Sequence, residues 1–356
     1  AALTTGGQNI LIGDNAGAGG AITGIRNVAV GDNALYAVVG AGGNIGIGYA
    51  AGDAITSGNN NVVVGTNAGS ALTSGHENTY IGNNAGATAT TAGYNICIGN
   101  GAGNGGTTTG DHNIVMGHAA GDALTSAANN VMIGQSAGTS MTTATVNVAV
   151  GVEALYYCTT GAGNTAVGVG TLKALTTASN NTAVGDYAAD AITTGSAVVA
   201  VGNAALGAQT TGTANTAVGV GAGSAITTHS YNTFMGNQAG RLCTDSQNTA
   251  IGAFSFYDAT TAGDTTCVGG WAGENITDGD ANTCLGKSSG NSITTGANNL
   301  CVGKEAGATG SPGGAVSTGS NQICLGDENI ANAHIQVDWT IASDKRDKTD
   351  VTPLGM

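Results

Sequence analysis

Asn215-Thr216-Ala217-Val218-Gly219-Val220-Gly221-Ala222-Gly223-Ser224-Ala225-Ile226-Thr227-Thr228-His229-Ser230-Tyr231 is one complete unit, and Asn232 opens the next. The Gly that follows an aliphatic residue marks the metre: Gly13, Gly31, Gly48 and so on through Gly219 and Gly236 to Gly326, nineteen in all. Fourteen of the eighteen spacings are 17 residues; the others are 18, 18, 16 and 23. A globular fold has no reason to keep such a metre, whereas a solenoid must, because each coil lies on the one before.

The inside of the unit predicts local structure. Asn stands four residues before the Gly in sixteen of nineteen copies, and an aliphatic residue stands just before it in all. The stretch from Asn to Gly, as in Thr216-Ala217 or Ile96-Cys97, reads as a short strand closed by a turn. Ala follows three residues after the Gly in fifteen copies. A second apolar-Thr-Thr-Gly element, such as Ile192-Thr193-Thr194-Gly195, reads as a second strand and turn. Gly permits the left-handed corners, and stacked Asn amides can hydrogen-bond along the axis. The expected fold is all-β: a parallel β-solenoid, or β-roll, of about nineteen 17-residue coils over residues 1–330, roughly 90 Å long at about 4.8 Å per coil.

Composition excludes much else. The chain has 356 residues, 63 of them Gly without a collagen period, 8% charged and 41% apolar, which is not the composition of disorder. A net charge of −14 speaks against nucleic acid as a partner. No apolar run approaches the ~20 residues of a membrane span, and residues 1–8 lack the pattern of a signal peptide. The seven cysteines contain no CxxC pair; five of them (Cys97, Cys267, Cys284, Cys301, Cys324) fall at one repeat position and read as small buried hydrophobes and free thiols. Histidines 76, 112, 118, 229 and 334 lack metal-ligand spacing and read as solvated turn positions. The acids scatter singly (Asp14, Asp53, Asp122, Asp190), with Glu274, Asp278 and Asp280 as the densest group and the one place considered for calcium. No cofactor, metal or external substrate is expected; the chain reads as structural, not as an enzyme.

Side chains alternate across a strand, and here both faces are apolar. One carries Thr, Val or Ile plus an aliphatic; the other carries Leu11, Ala29, Val63, Ala166, Ala217 and their equivalents. A strand buried on both faces needs a further partner, and identical chains around an axis are the economical one. The expectation is a homotrimer with the second of these faces lining the axis. The opening Ala2-Leu3-Thr4-Thr5-Gly6 matches half a repeat, so the chain is expected to continue upstream.

After Gly326 the metre stops. Residues 331–342 hold an alternating amphipathic strand (Ile335, Val337, Trp339, Ile341 on one side) that reads as a connection to a further module. That module, 343–356, opens Ser343-Asp344-Lys345-Arg346-Asp347-Lys348-Thr349-Asp350-Val351. It resembles the start of the endosialidase-type intramolecular chaperone domain at the C-termini of phage tail fibres and tailspikes, over 14 of 356 residues. The resemblance implies that only the beginning of that domain is present. It also implies a trimeric virion fibre, extracellular, joined upstream to a baseplate or tail and holding a tip that binds a host surface receptor. Ser343 and Lys348 match the family's Ser-Lys dyad, which implies self-cleavage beside Ser343 in a full-length precursor. The repeats are also similar in architecture to the β-roll heads of trimeric autotransporter adhesins, whose units are shorter; an extracellular trimeric adhesin head is the alternative function.

Overall fold

The computed structural model describes residues 6–311 and 313–332. Within them the chain is a parallel β-solenoid with nineteen strands and no helix. The strands run from β1 (Ile10–Ile12) to β19 (Ile323–Leu325), one per coil, each three residues long. Each pairs in parallel with the next, without a register slip. Ile10 lies beside Val28, Thr165 beside Thr182, and Cys301 beside Cys324. The spacings of 18, 16 and 23 are therefore absorbed outside the strand.

The expected second strand does not form. The Thr-Thr segment is a bend, and that limb carries isolated bridges, such as Ala89 with Thr108 and Ala128 with Thr145, in place of a ladder. The reason lies in the backbone. In a strand, successive amides point to opposite sides. Here three consecutive amides, of Thr56, Ser57 and Gly58, donate to one carbonyl, that of Thr73 in the next coil, at 3.0, 3.2 and 3.3 Å. The limb is still bonded coil to coil, but through turns.

The Asn column behaves as the sequence implies. The Asn61 amide donates through its backbone N to Asn44 Oδ1 at 2.9 Å and through Nδ2 to the same oxygen at 3.0 Å. The same Nδ2 also donates to the Gly75 carbonyl, fourteen residues on, at 2.9 Å. This buried ladder runs unbroken from Asn9 to Asn181. The corner Gly column is required by sterics. Gly31 has φ +133, and a Cβ there would lie 2.6 Å from the Gly48 carbonyl oxygen of the next coil.

The core is filled by size complementarity between two columns: the middle strand residue, and the residue four after the corner Gly. Where the first is large (Tyr80, Met132, Phe234) the second is Gly (Gly86, Gly138, Gly240). Where the first is Ala (Ala149, Ala166, Ala200, Ala250) the second is Leu155, Leu172, Leu206 or Phe256, all fully buried. These bulky residues hold φ between 50 and 55. A left-handed L-residue costs roughly 1–2 kcal/mol, less than the roughly 2–5 kcal/mol that an unfilled Leu-sized cavity costs. Three coils are small at both positions (Gly46 with Gly52, Ala183 with Ala189, Ala217 with Gly223), and in two of them the neighbours close in: Leu35 on Gly46, and Leu206 and Phe234 on Gly223.

Candidate functional site

Asp53 and Asp190 sit on separate coils, and burial raises the pKa of each carboxyl. Asp278 accepts hydrogen bonds from the hydroxyls of Thr260 and Thr261 at 2.9 and 2.8 Å, and Asp280 accepts from the Gly263 amide at 2.8 Å. The calcium site considered at Glu274, Asp278 and Asp280 is thus not assembled; no cluster of three metal-ligating side chains occurs among the described residues. His76 and His112 flank Tyr94 in an exposed column, with ring centroids 5.0 and 4.9 Å apart. Ser343 and Lys348 lie outside the described residues, as do 333–342 of the connecting segment.

The two strand faces are assigned opposite to the sequence expectation. The face of Ala29, Val63, Ala166 and Ala217 is 0% exposed within a single chain. It forms the coil's own core and cannot line an axis between copies. Alternation then turns the other face outward in every coil. That face carries Ile47, Ile81, Ile133, Val184, Met235 and Leu285, each 37–47% exposed. The outward face is a flat ribbon, aliphatic at one position in all nineteen coils and Thr, Val, Ile or Leu at the other. At about 4.8 Å per strand and about 10 Å of width it covers roughly 900 Å², above the few hundred Å² that a soluble monomer usually leaves open.

A second surface lies on the return limb of the last coils. Six residues after the corner Gly, the chain carries mostly Ala or Gly, with no acid or amide as far as Leu242; then come Asp258, Asn275, Ser292 and Thr309 in consecutive coils. Two positions further along each coil stands the Thr column, here Thr277 and Thr294. Between the two rows is a groove of about 600 Å³, closed at its end by the six-residue insertion after Gly303. Among the described residues the densest aromatic group gathers around Tyr257, the residue before Asp258. Phe254 stacks on Trp271 with centroids 5.8 Å apart and planes at 12°, and Tyr257 leans on Phe254 at 5.7 Å. Lys287 and Arg241 lie over the Trp271 and Tyr257 rings at 5.6 and 5.3 Å. Burial, with the Asp258 charge adding, raises the Glu274 pKa. The sequence carried a signal for this site: at a period of 17, Phe254 and Trp271 must be axial neighbours.

Neither a protein-family model, nor a curated protein, nor a solved structure matches this chain. The class rests on the geometry: a rod-like parallel β-solenoid with one apolar ribbon along its length.

Proposed function

We propose that the chain is the shaft of a structural fibre, a homotrimer whose copies meet through the outward strand ribbon. The observation that carries this reading is the ribbon itself: apolar in coil after coil and too large to leave in water. Its roughly 900 Å² is near the ~800 Å² that each partner gives to a standard stable interface. A ribbon one strand wide favours copies side by side about a common axis, and cyclic symmetry keeps all their ends pointing the same way. The resemblance of Ser343–Val351 to a chaperone-domain opening supports reading the fibre as part of a virion, a phage tail fibre or similar appendage presenting a receptor-binding tip. An adhesin head would be followed downstream by a membrane anchor instead. In a precursor carrying the whole downstream domain, self-cleavage beside Ser343 accompanies this role.

The test is the mass and shape of the purified chain. Light scattering and sedimentation should return three chains per particle, and electron micrographs a rod of roughly 90 Å. A monomeric rod at tens of micromolar protein overturns the proposal.

A further inference from the structure

We propose that the groove between Asp258 and Thr309 is a binding site for a neutral oligosaccharide. The site belongs to one chain, so it does not depend on the assembly proposed above.

Three departures from the repeat coincide here. The small-residue column turns polar in four consecutive coils, aromatic residues gather beside it, and the one long insertion closes its end. A shaft that only needs to stack has no use for any of these. Ala in the same column serves elsewhere, at Ala174, Ala191, Ala208 and Ala225.

The hydrogen-bonding character of the groove selects the ligand. The Thr277 and Thr294 hydroxyls already donate along the axis, to the carbonyls of Thr294 and Ser317 at 3.2 and 3.3 Å. Each is left with its oxygen as an acceptor. Asn275 Nδ2 donates to the Asn291 carbonyl at 2.6 Å, which leaves its Oδ1 as an acceptor. Asp258 adds an acceptor-only carboxylate. The Asn291 amide and the Ser292, Thr309 and Ser317 hydroxyls in the same lining add donors. A wall that both accepts and donates calls for a ligand that does both, and a polyol supplies one hydroxyl after another. The negative charge of Asp258 opposes phosphate, sulfate and sialic acid. A peptide would need an open backbone edge to pair with, and here the backbone amides of the limb are bonded to the next coil, as Thr277 N is to Thr294 O at 2.8 Å. Four coils, three steps of about 4.8 Å, give a track of roughly 14 Å, the length of a trisaccharide.

The experiment uses the full chain and a panel of neutral trisaccharides (maltotriose, cellotriose, mannotriose and the N-acetylglucosamine trimer), with sialyllactose as the anionic control. Binding is read by titration calorimetry and by saturation-transfer NMR. At least one neutral trisaccharide should saturate at millimolar concentration or below, with sialyllactose weaker. Asn275→Ala and Thr294→Val should each weaken binding by tenfold or more, and Ala191→Asn, at the same repeat position in a distant coil, should leave it unchanged. Circular dichroism of each variant confirms the fold. The proposal is overturned if no neutral trisaccharide saturates, if sialyllactose binds best, or if both groove variants bind like wild type.

Discussion

The side chain of Gln209 supplies the amide that Val198 lacks. Val198 interrupts the Asn column, and an Asn there would have reached the Gly212 carbonyl, fourteen residues on, as Asn61 reaches Gly75. Gln209 stands where neighbouring coils have Ile192 and Ile226, and its Nε2 donates to Gly212 O at 2.7 Å from inside the core. Its Oε1 accepts from Asn215 Nδ2 at 3.0 Å, so the column resumes at Asn215.

The pair should therefore be coupled. Gln209→Leu strands a buried carbonyl and a buried amide and should cost about 1–3 kcal/mol. Adding Val198→Asn should recover most of that loss. Solenoids need not unfold in one step, so the readout is hydrogen exchange across residues 195–232. Equal protection in the single and double variants would show that the two sites are independent.

Adjacent positions on one strand should behave in opposite ways. Ala183 is 0% exposed and Val184 is 38% exposed. Ala183→Asp places a carboxylate in the coil core and should unfold the chain locally. Val184→Asp should leave the solenoid intact, by circular dichroism, and dissociate the assembly, by sedimentation. If Val184→Asp assembles as well as wild type, the copies meet elsewhere.

Leu206→Gly separates backbone strain from packing. Glycine relieves a left-handed residue at φ 52, worth roughly 1–2 kcal/mol, but empties a cavity costing roughly 2–5 kcal/mol. The net expectation is destabilisation of about 1–3 kcal/mol, read by hydrogen exchange across the Leu206 coil and its neighbours. A stabilised variant would mean that the size match between the two core columns carries no weight.

The thiols and the buried phenol should make the rod sensitive to alkali. Burial pushes the Cys97 thiol up to about 12 and the Cys158 and Cys243 thiols up to about 11. The hydrogen bond of the Cys284 thiol to Cys267, with burial, raises Cys284, and burial raises the Tyr80 phenol. All these groups are held neutral in the fold and ionise earlier once unfolded, so the native state binds more protons above the unfolded thiol value of 9.0. These groups leave stability unchanged below pH 9 and should lower it as pH rises from 9 toward 12. Thermal melts across that range check the slope, and iodoacetamide at pH 8 should label these cysteines only after denaturation.

The metre, the single strand and the Asn column were legible because each is a spacing, and spacing survives translation into coordinates. The assignment of strand faces was not, because alternation says only that Ala166 and Val167 point apart and both are apolar. A finer signal was present. Thr recurs at one strand position (Thr79, Thr165, Thr182, Thr216) and never at the middle one, and a hydroxyl column marks the face turned out of the coil. The second strand failed because Thr-Thr-Gly is compatible with a bend as well as with an extended run. The groove was partly visible, since the change at Asp258, Asn275, Ser292 and Thr309 is a departure from the repeat; that Asp258, Asn275, Ser292 and Thr309 line one groove with Thr277 and Thr294 required the register.

Because the chain climbs only about 4.8 Å per coil, almost none of its covalent length lies along the rod. A pull on the two ends meets hydrogen bonds first, loaded one coil at a time from whichever end is weaker. Each coil that peels away releases up to about 60 Å of slack. A single solenoid is thus stiff against bending and compression yet yields under tension like a reel of thread. Copies laid side by side change this, since a coil held by its neighbours through the strand ribbon cannot unwind alone. Tensile strength is then a property of the bundle, carried sideways through side chains such as Ile133, Val184 and Ile251 rather than lengthwise through the backbone.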